Sequence, residues 1–293
     1  MNCGYVALIG RPNVGKSTLM NHLLGQKISI TSRKPQTTRH RILGINTTEE
    51  GQAIYLDTPG MHSNEKHALN RYLNRTADTT LAGVDLVVWL IDRPIWHEYD
   101  EVIFNKLESA GLPVILVLNK IDRLKNKDDL LSFFAEAQKK FPFQQMVPVS
   151  ALKGQNLQQL QLAIMGLLPE NDLIYPEDQI TDRSERFLAA EIVREKLTRQ
   201  LGDELPYALT VEIEKYEDQV NIAKIYAIIW VERSSQKSIV IGKQGDRLKK
   251  VGTDARKDIE KLIDKKAYLQ LWVKVKKGWS DNERALQSLG FND

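Results

Sequence analysis

Cysteine is almost missing from this chain. Cys3 is the single one in 293 residues, so neither an intramolecular disulfide nor a thiolate cluster for zinc or iron–sulfur can form. Histidine is scarce as well. His22, His40, His62, His67 and His97 are scattered, and the one close pair, His62 and His67, lacks the spacing that puts two ligands on one helical turn; a histidine metal site is not expected. Long apolar runs are absent: Leu86–Ile91 is far below the roughly 20 residues a membrane span requires. The opening Met1-Asn-Cys-Gly-Tyr-Val has no basic and apolar signal-peptide regions, and the expectation is a cytoplasmic protein. No internal repeat or low-complexity tract occurs. What is present, 42% apolar and 27% charged residues, supports a packed core rather than disorder, and the length allows one large domain or two ordinary ones.

Charge is nearly balanced overall, at a formal +3, but not along the chain. Residues 233–279 hold 14 Lys/Arg against 5 Asp/Glu, a local +9 that leaves −6 on the remainder. Such asymmetry points to an anionic partner at one end, although a lysine-guarded surface would read the same way.

Residues 1–168 alternate short apolar runs with longer amphipathic ones, the pattern of an α/β domain with a largely parallel sheet. Strands are predicted at 5–9, 53–56, 86–91, 114–118 and 146–149, and helices near 16–24, 66–81, 99–109, 127–140 and 156–168. Residues 169–182, with two prolines and five acidic residues, read as a linker. Residues 183–293 form a smaller α+β domain ending in a helix. Its first helix opens on a capping box of Asp182 with Glu185; strands are expected at 209–216 and 222–231, a helix at 246–263, and a strand at 268–277.

Chemistry is expected where the strands end. Gly10-Arg11-Pro12-Asn13-Val14-Gly15-Lys16-Ser17, followed by Thr18, lies between the first strand and the first helix, which is the setting a phosphate loop requires. Backbone N–H groups there can turn toward phosphates, Lys16 can reach the β- and γ-phosphates, and Ser17 can ligate Mg²⁺. Asp57-Thr58-Pro59-Gly60 offers a carboxylate for Mg²⁺ and a backbone N–H at Gly60 for the γ-phosphate. Asn119-Lys120-Ile-Asp122 supplies a carboxylate that accepts both hydrogens on guanine's N1 and exocyclic amine, a pair adenine does not present; GTP is therefore expected over ATP. Ser150-Ala151 ends the next strand, with a backbone N–H for the guanine carbonyl.

In order, these four motifs have the signature of a small GTPase domain related to translation factors, over residues 4–168. The resemblance implies that Gln36-Thr37-Thr38-Arg39-His40 is the first switch and that a threonine there, Thr38 favoured over Thr37, serves Mg²⁺ and the γ-phosphate, alongside Lys16 and Gly60 at the reacting group. One departure stands out. Met61 occupies the place where Ras-like proteins orient water with glutamine, so slow intrinsic hydrolysis is expected. Similarity to other Thr-Thr-Arg GTPases suggests K⁺ near Asn13, and Arg33, Arg39 and Arg41 are candidates to act in cis.

Gly242-Lys243-Gln244-Gly245 sits after apolar 239–241, before a helix and inside the basic stretch, as a KH module requires. Its glycines would let single-stranded nucleic acid approach the backbone, with Lys243 at phosphate and Arg247, Lys250, Lys257 and Lys261 extending the face. Trp272 and Trp279 can stack on a base, although covering the sheet is the favoured reading. A GTPase domain joined to a type II KH domain resembles the Era family, as do Ile180–Ser184, Glu204–Tyr207, Leu271–Lys276 and Asn282–Leu286. That resemblance implies a bacterial switch protein, expected monomeric, that binds the 3′ region of 16S rRNA and acts in 30S subunit assembly and rRNA maturation. The alternative is a peripheral-membrane signalling GTPase whose basic domain meets anionic lipid at the inner membrane.

Overall fold

The computed structural model describes residues 1–32, 34, 37–59, 68–69, 72, 81–124, 126, 128–201, 208–289 and 291. They form two compact units. The first holds the described parts of Met1–Ser29, Thr38–Met61 and Leu73–Asp182; the second holds the described parts of Ile30–Thr37, His62–Tyr72 and Arg183–Asp293.

The first unit is built on a six-stranded sheet: β1 (Asn2–Ile9), β2 (Ile42–Thr48), β3 (Gly51–Asp57), β4 (Leu86–Ile91), β5 (Val114–Leu118) and β6 (Gln145–Pro148), in the order β2-β3-β1-β4-β5-β6. All neighbours are parallel except β2, which returns antiparallel to β3. Every residue of β4 and β5 is fully buried, which is why these strands read as unbroken apolar runs rather than alternating ones. Helices α2 (Glu98–Ala110) and α3 (Asp128–Lys140) share one core cluster with Val87, Trp89 and Ile91 through Ile103, Phe104, Leu107, Phe133 and Ala137. Helix α1 (Lys16–Leu24) and helix α4 (Leu157–Met165) touch each other and β3. The helix expected at 66–81 falls largely outside the described residues, of which Ala68, Leu69 and Tyr72 are helical and buried.

Two features of this unit differ from the sequence expectation. Strand β2 has no counterpart in it: Gly44 interrupts the apolar pattern because Leu24 closes on it, and a Cβ there would lie 2.6 Å from Leu24 Cδ1. The stretch expected as a linker is bound along the sheet. Ile45 N–H donates to Ile180 O at 2.7 Å and Thr181 Oγ1 to Leu43 O at 2.6 Å. Buried Gln52 takes the N–H groups of Ile174 and Tyr175 (3.1 and 2.9 Å) and donates to Tyr175 O at 2.9 Å. An exposed strand edge is a row of unpaired backbone groups, and this stretch satisfies it.

The second unit has a three-stranded sheet, β7 (Leu209–Asp218), β8 (Ile222–Val231) and β9 (Lys266–Val275), with β8 central, antiparallel to β7 and parallel to β9. Helices α5 (Glu185–Gln200) and α7 (Asp246–Ile263) cover one face through Ala189, Ile192, Val251, Ala255 and Ile259. The cap of α5 is Ser184, whose Oγ accepts from Phe187 N–H at 3.3 Å, and not Asp182; the nearer hydroxyl reaches the third residue of the helix. Short helices α6 (Ser234–Ile241) and α8 (Glu283–Ser288) complete the unit. Trp279 is fully buried and is a core residue, whereas Trp272 stands 36% exposed on the outer face of β9.

Replacing Gln52 with alanine orphans two backbone N–H groups and one carbonyl at once. Stability in urea should fall by about 2 kcal/mol or more, and amide exchange should accelerate selectively at 170–182. Unchanged protection there would show that the edge contact carries no weight.

Candidate functional site

The turn between β1 and α1 needs backbone conformations that side chains avoid. Gly10 and Gly15 adopt φ of 141° and 110°. A Cβ on Gly10 would lie 2.3 Å from Leu90 O, and one on Gly15 would lie 2.2 Å from Asn119 Nδ2. The second contact ties two of the motifs together. Asn119 is 3% exposed; its Nδ2 donates to Val14 O at 2.7 Å, and its Oδ1 accepts from Ala151 N–H at 2.9 Å and Lys120 N–H at 2.8 Å. Lys120 Nζ in turn donates to Asn13 O at 2.6 Å. Asp122 is exposed at the mouth, oriented by Ser150 Oγ at 2.5 Å.

At the other end of the loop, four side chains converge. Ser17 Oγ donates to Asp57 Oδ2 at 2.6 Å, and so does Ser29 Oγ at 2.7 Å. Ser17 Oγ and Thr38 Oγ1 lie 2.9 Å apart; since the Ser17 proton is committed to Asp57, Thr38 donates. Asp57 is fully buried, which pushes its carboxyl up, while Ser17, Lys16, Ser29 and Thr38 pull it back. Its Oδ1 has no hydrogen-bond partner among the described residues. A buried, half-satisfied carboxylate beside two hydroxyls is an all-oxygen donor set that fits a hard divalent cation such as Mg²⁺. Lys16 Nζ donates to Gly10 O (2.9 Å) and Arg11 O (3.2 Å), and burial lowers it from 10.5 to about 8 against the opposing pull of Asp57. Thr58, also buried, donates to Leu8 O at 3.2 Å and fixes the chain beyond β3. Pro59 follows, and Gly60, Met61 and Arg33 lie outside the described residues. Arg39 is 1% exposed, so it is held inside rather than solvated.

Several participants carry no motif. Ser29 is placed by Asn21, whose Oδ1 accepts from Ile28 and Ser29 N–H, both at 2.9 Å. Asp92, just past β4, pairs with Arg11 at 3.2 Å and with Lys120 at 2.8 Å. In the second unit, buried Glu195 accepts from Thr31 N–H at 2.9 Å and from Arg199 Nη2 at 2.9 Å. Beside it, buried Arg194 forks onto Glu191 at 2.7 and 2.6 Å and donates to Thr37 O. Only this packing distinguishes those helix residues from ordinary surface charges.

The second candidate site is the turn between α6 and α7. Gly242 and Gly245 adopt φ of 76° and 83°, with Gln244 between them also left-handed at 53°. A Cβ on Gly242 would lie 2.8 Å from Arg247 Cβ, whereas one on Gly245 would enter open space. Lys243 is exposed. The helical lysines divide from it. Arg247 Nη1 donates to Ile239 O and braces the turn. Lys250, Lys257 and Lys261 instead line a groove of about 680 Å³ beside α5, with Lys196, Asp254 and Asp258.

The Lys16 charge opposes folding wherever no anion neutralises it. Its folded value, about 8, lies below 10.5, so the unfolded chain binds more protons between these values and stability rises with pH across that window. Lys16→Met should therefore stabilise the anion-free protein at pH 7 by roughly 3 kcal/mol, with the gain fading by pH 10.5. Urea unfolding at the two pH values checks this, and a destabilised variant at pH 7 would refute it.

Residues 5–120 match the family model described as 50S ribosome-binding GTPase, and residues 204–280 match that of the KH domain. The chain is 57% identical over 291 residues to GTPase Era of Pseudomonas savastanoi pv. phaseolicola, covering 99% of this chain and 97% of the relative. Against the protein of that name from Pseudomonas fluorescens Pf0-1 the identity is 56%, with the same coverage. Among solved structures, a point variant of Aquifex aeolicus Era bound to GDP·AlF₄⁻ superposes with a TM-score of 0.96 at 41% identity over all of both chains. An Era complex with MgGDPNP and nucleotides 1506–1542 of 16S ribosomal RNA gives 0.96 at 40% identity, again over both full chains. Likeness of this degree, unbroken across both units, shows that the chain belongs to the Era family of GTPases.

Proposed function

We propose that this chain is a GTP-hydrolysing switch that binds the 3′ region of 16S rRNA through its KH domain and acts in 30S subunit assembly. The observation that carries the reading is the junction at Asn119: one buried amide holds the phosphate loop, the base-reading strand end and Ala151 together. A nucleotide bound across that junction would meet residues 10–18 at its phosphates and Asn119, Asp122 and Ala151 at its base. Asp122 would accept the two guanine N–H groups, and Ser150 keeps its carboxylate in place. Lys16 would recover its charge against phosphate. Ser17, Thr38 and Asp57 would hold Mg²⁺, which supplies charge neutralisation on the phosphate oxygens. Met61 offers no water-orienting amide, so the intrinsic rate is slow. Asn13, left-handed in the phosphate loop, would be the residue that helps hold K⁺.

Hydrolysis assays test the nucleotide half. The wild type should turn over GTP and not ATP, faster in potassium than in sodium buffer. Asp122→Asn exchanges an acceptor for an amide donor suited to xanthine's carbonyl, so it should lose GTP by about 10²-fold or more and gain XTP. Equal use of GTP and ATP would overturn the base assignment, and equal rates in the two salts would remove K⁺.

For the RNA half, Gly242 and Gly245 would let backbone amides meet about four nucleotides of single-stranded RNA, with Lys243 on phosphate. Binding of a labelled RNA from the 16S 3′ end should be tighter with a non-hydrolysable GTP analogue than with GDP, and should be lost in Gly242→Asp/Gly245→Asp. Affinity indifferent to the glycines would leave the basic stretch with another target. Anionic liposomes carry the peripheral-membrane reading as a competitor: flotation at physiological salt that RNA cannot displace would favour it.

A further inference from the structure

Strands β8 and β9 of the second unit present two chemically different faces. Ala223, Ile225, Ala227 and Ile229 of β8, and Ala267 and Val273 of β9, face the helices. The opposite face carries Lys224, Tyr226 and Trp230 on β8, and Tyr268, Gln270, Trp272 and Lys274 on β9. A parallel strand pair is ordinarily covered on both sides. Here the outer side of the β8–β9 pair is open at β9, with Tyr268 47% and Trp272 36% exposed, while Ile228 beside Trp272 is buried at 4%.

These rings are arranged rather than scattered. The register sets Tyr226 beside Gln270 and Ile228 beside Trp272. Tyr226 and Trp272 lie with centroids 6.0 Å apart and planes within 15°, and Tyr226 meets Tyr268 edge-on at 6.0 Å. Tyr226 thus backs both exposed rings and fixes their orientation without covering them. The Cα atoms of Tyr268 and Trp272, four residues apart on one strand, are separated by about 13 Å, and their rings, each 6.0 Å from Tyr226, lie closer than that. The acidic residues of this face belong to β7: Glu212 accepts from Trp230 Nε1 at 2.7 Å, and Glu214 lies 3.5 Å from Lys274. The β9 border is cationic, with Lys266, Lys274 and Lys276; the last two sit 5.9 and 5.7 Å above the Trp230 ring.

Flat rings bordered by lysines match single-stranded nucleic acid, whose bases offer π-faces and whose phosphates offer charge. An acidic or purely apolar protein partner would use one half of this chemistry and waste the other. We infer that the outer face of the KH sheet, through Tyr268 and Trp272 with Lys266 and Lys274, is a second single-stranded RNA contact, separate from the G-x-x-G turn. The inference rests on the RNA reading of the KH domain. The helices that flank Gly242–Gly245 cover the other face of the sheet, so one strand of RNA longer than the turn can hold must leave that turn before it reaches these rings.

The test uses the full chain with GDP and two unstructured RNAs from the 16S 3′ end, a tetranucleotide and one of about 16 nucleotides. Tyr268→Ala/Trp272→Ala should weaken the longer RNA between about fivefold and a hundredfold, leaving tetranucleotide affinity and GTP hydrolysis unchanged. Trp272→Phe should retain most of the affinity, and circular dichroism and melting of each variant confirm folding. Photocrosslinks from 4-thiouridine should map to the β9 peptide in the longer RNA alone. Unchanged affinity of the double alanine variant, with loss in Gly242→Asp/Gly245→Asp, overturns the sheet contact and keeps the RNA reading. Failure of the wild type to bind either RNA overturns both. A variant that loses liposome flotation while keeping RNA affinity assigns the face to lipid and overturns the inference.

Discussion

One carboxamide sets the alignment on which the nucleotide site depends. Asn119 leaves the end of β5 with its Nδ2 on Val14 O and its Oδ1 shared by Ala151 and Lys120. The bonds to Val14 and Ala151 cross to two other loops and are buried, so neither can be exchanged for water without an unpaired polar group costing about 1–3 kcal/mol. Gly15 follows from the same packing, because any Cβ there would occupy the space of the Asn119 amide. On the proposed reading, specificity for a base and grip on phosphates are therefore not separate properties of this fold. A change at position 119 or 15 disturbs both.

Asp57 is the second constraint, and of the opposite kind. Asn119 is satisfied on every side, whereas Asp57 keeps one buried oxygen without a partner among the described residues, in a site that raises its pKa. Ser17, Ser29 and Thr38 soften that penalty without removing it. Lys16 shows the matching stress for positive charge, being pushed down to about 8. A pocket that holds an under-neutralised carboxylate and an under-neutralised ammonium side by side is arranged for a ligand bringing both cation and anion. Magnesium with a polyphosphate is such a ligand.

How much of this the sequence disclosed depends on the range of the interaction. Leu86–Ile91, Val114–Leu118, Ile222–Val231 and Asp246–Ile263 were legible to the residue, because burial on both faces, alternation and helical spacing each leave a local pattern. The phosphate loop and Asn119–Asp122 were legible because their chemistry demands fixed spacing. Ser29 and Asn21 were not, since a lone serine held by a lone asparagine has no pattern outside the fold. Residues 169–182 read as a linker because proline and acidic content signal a break in regular structure; they do not reveal that Gln52, more than a hundred residues earlier, holds the break in place. Lys250 and Lys257 shared a stripe with Arg247 on paper, but the side of α7 they occupy faces α5.

The first switch brings these scales together. Thr38 donates to Ser17 in the nucleotide unit. Its neighbour Thr37 gives its carbonyl to Arg194 in the other unit. Adjacent Cα atoms are 3.8 Å apart and the peptide does not stretch, so a sizeable displacement of Thr38 must be absorbed by backbone rotation at these two residues or by release of Arg194. Release is not free. Arg194 is buried against Glu191, and a hydrogen bond from a charged group is worth about 1.5–3 kcal/mol, equivalent to a factor of roughly ten to a hundred and fifty in an equilibrium. A nucleotide can bias the second unit only by as much as it favours one state of that contact over the other. Thr31 on Glu195 adds a further bond of the same kind to the same segment.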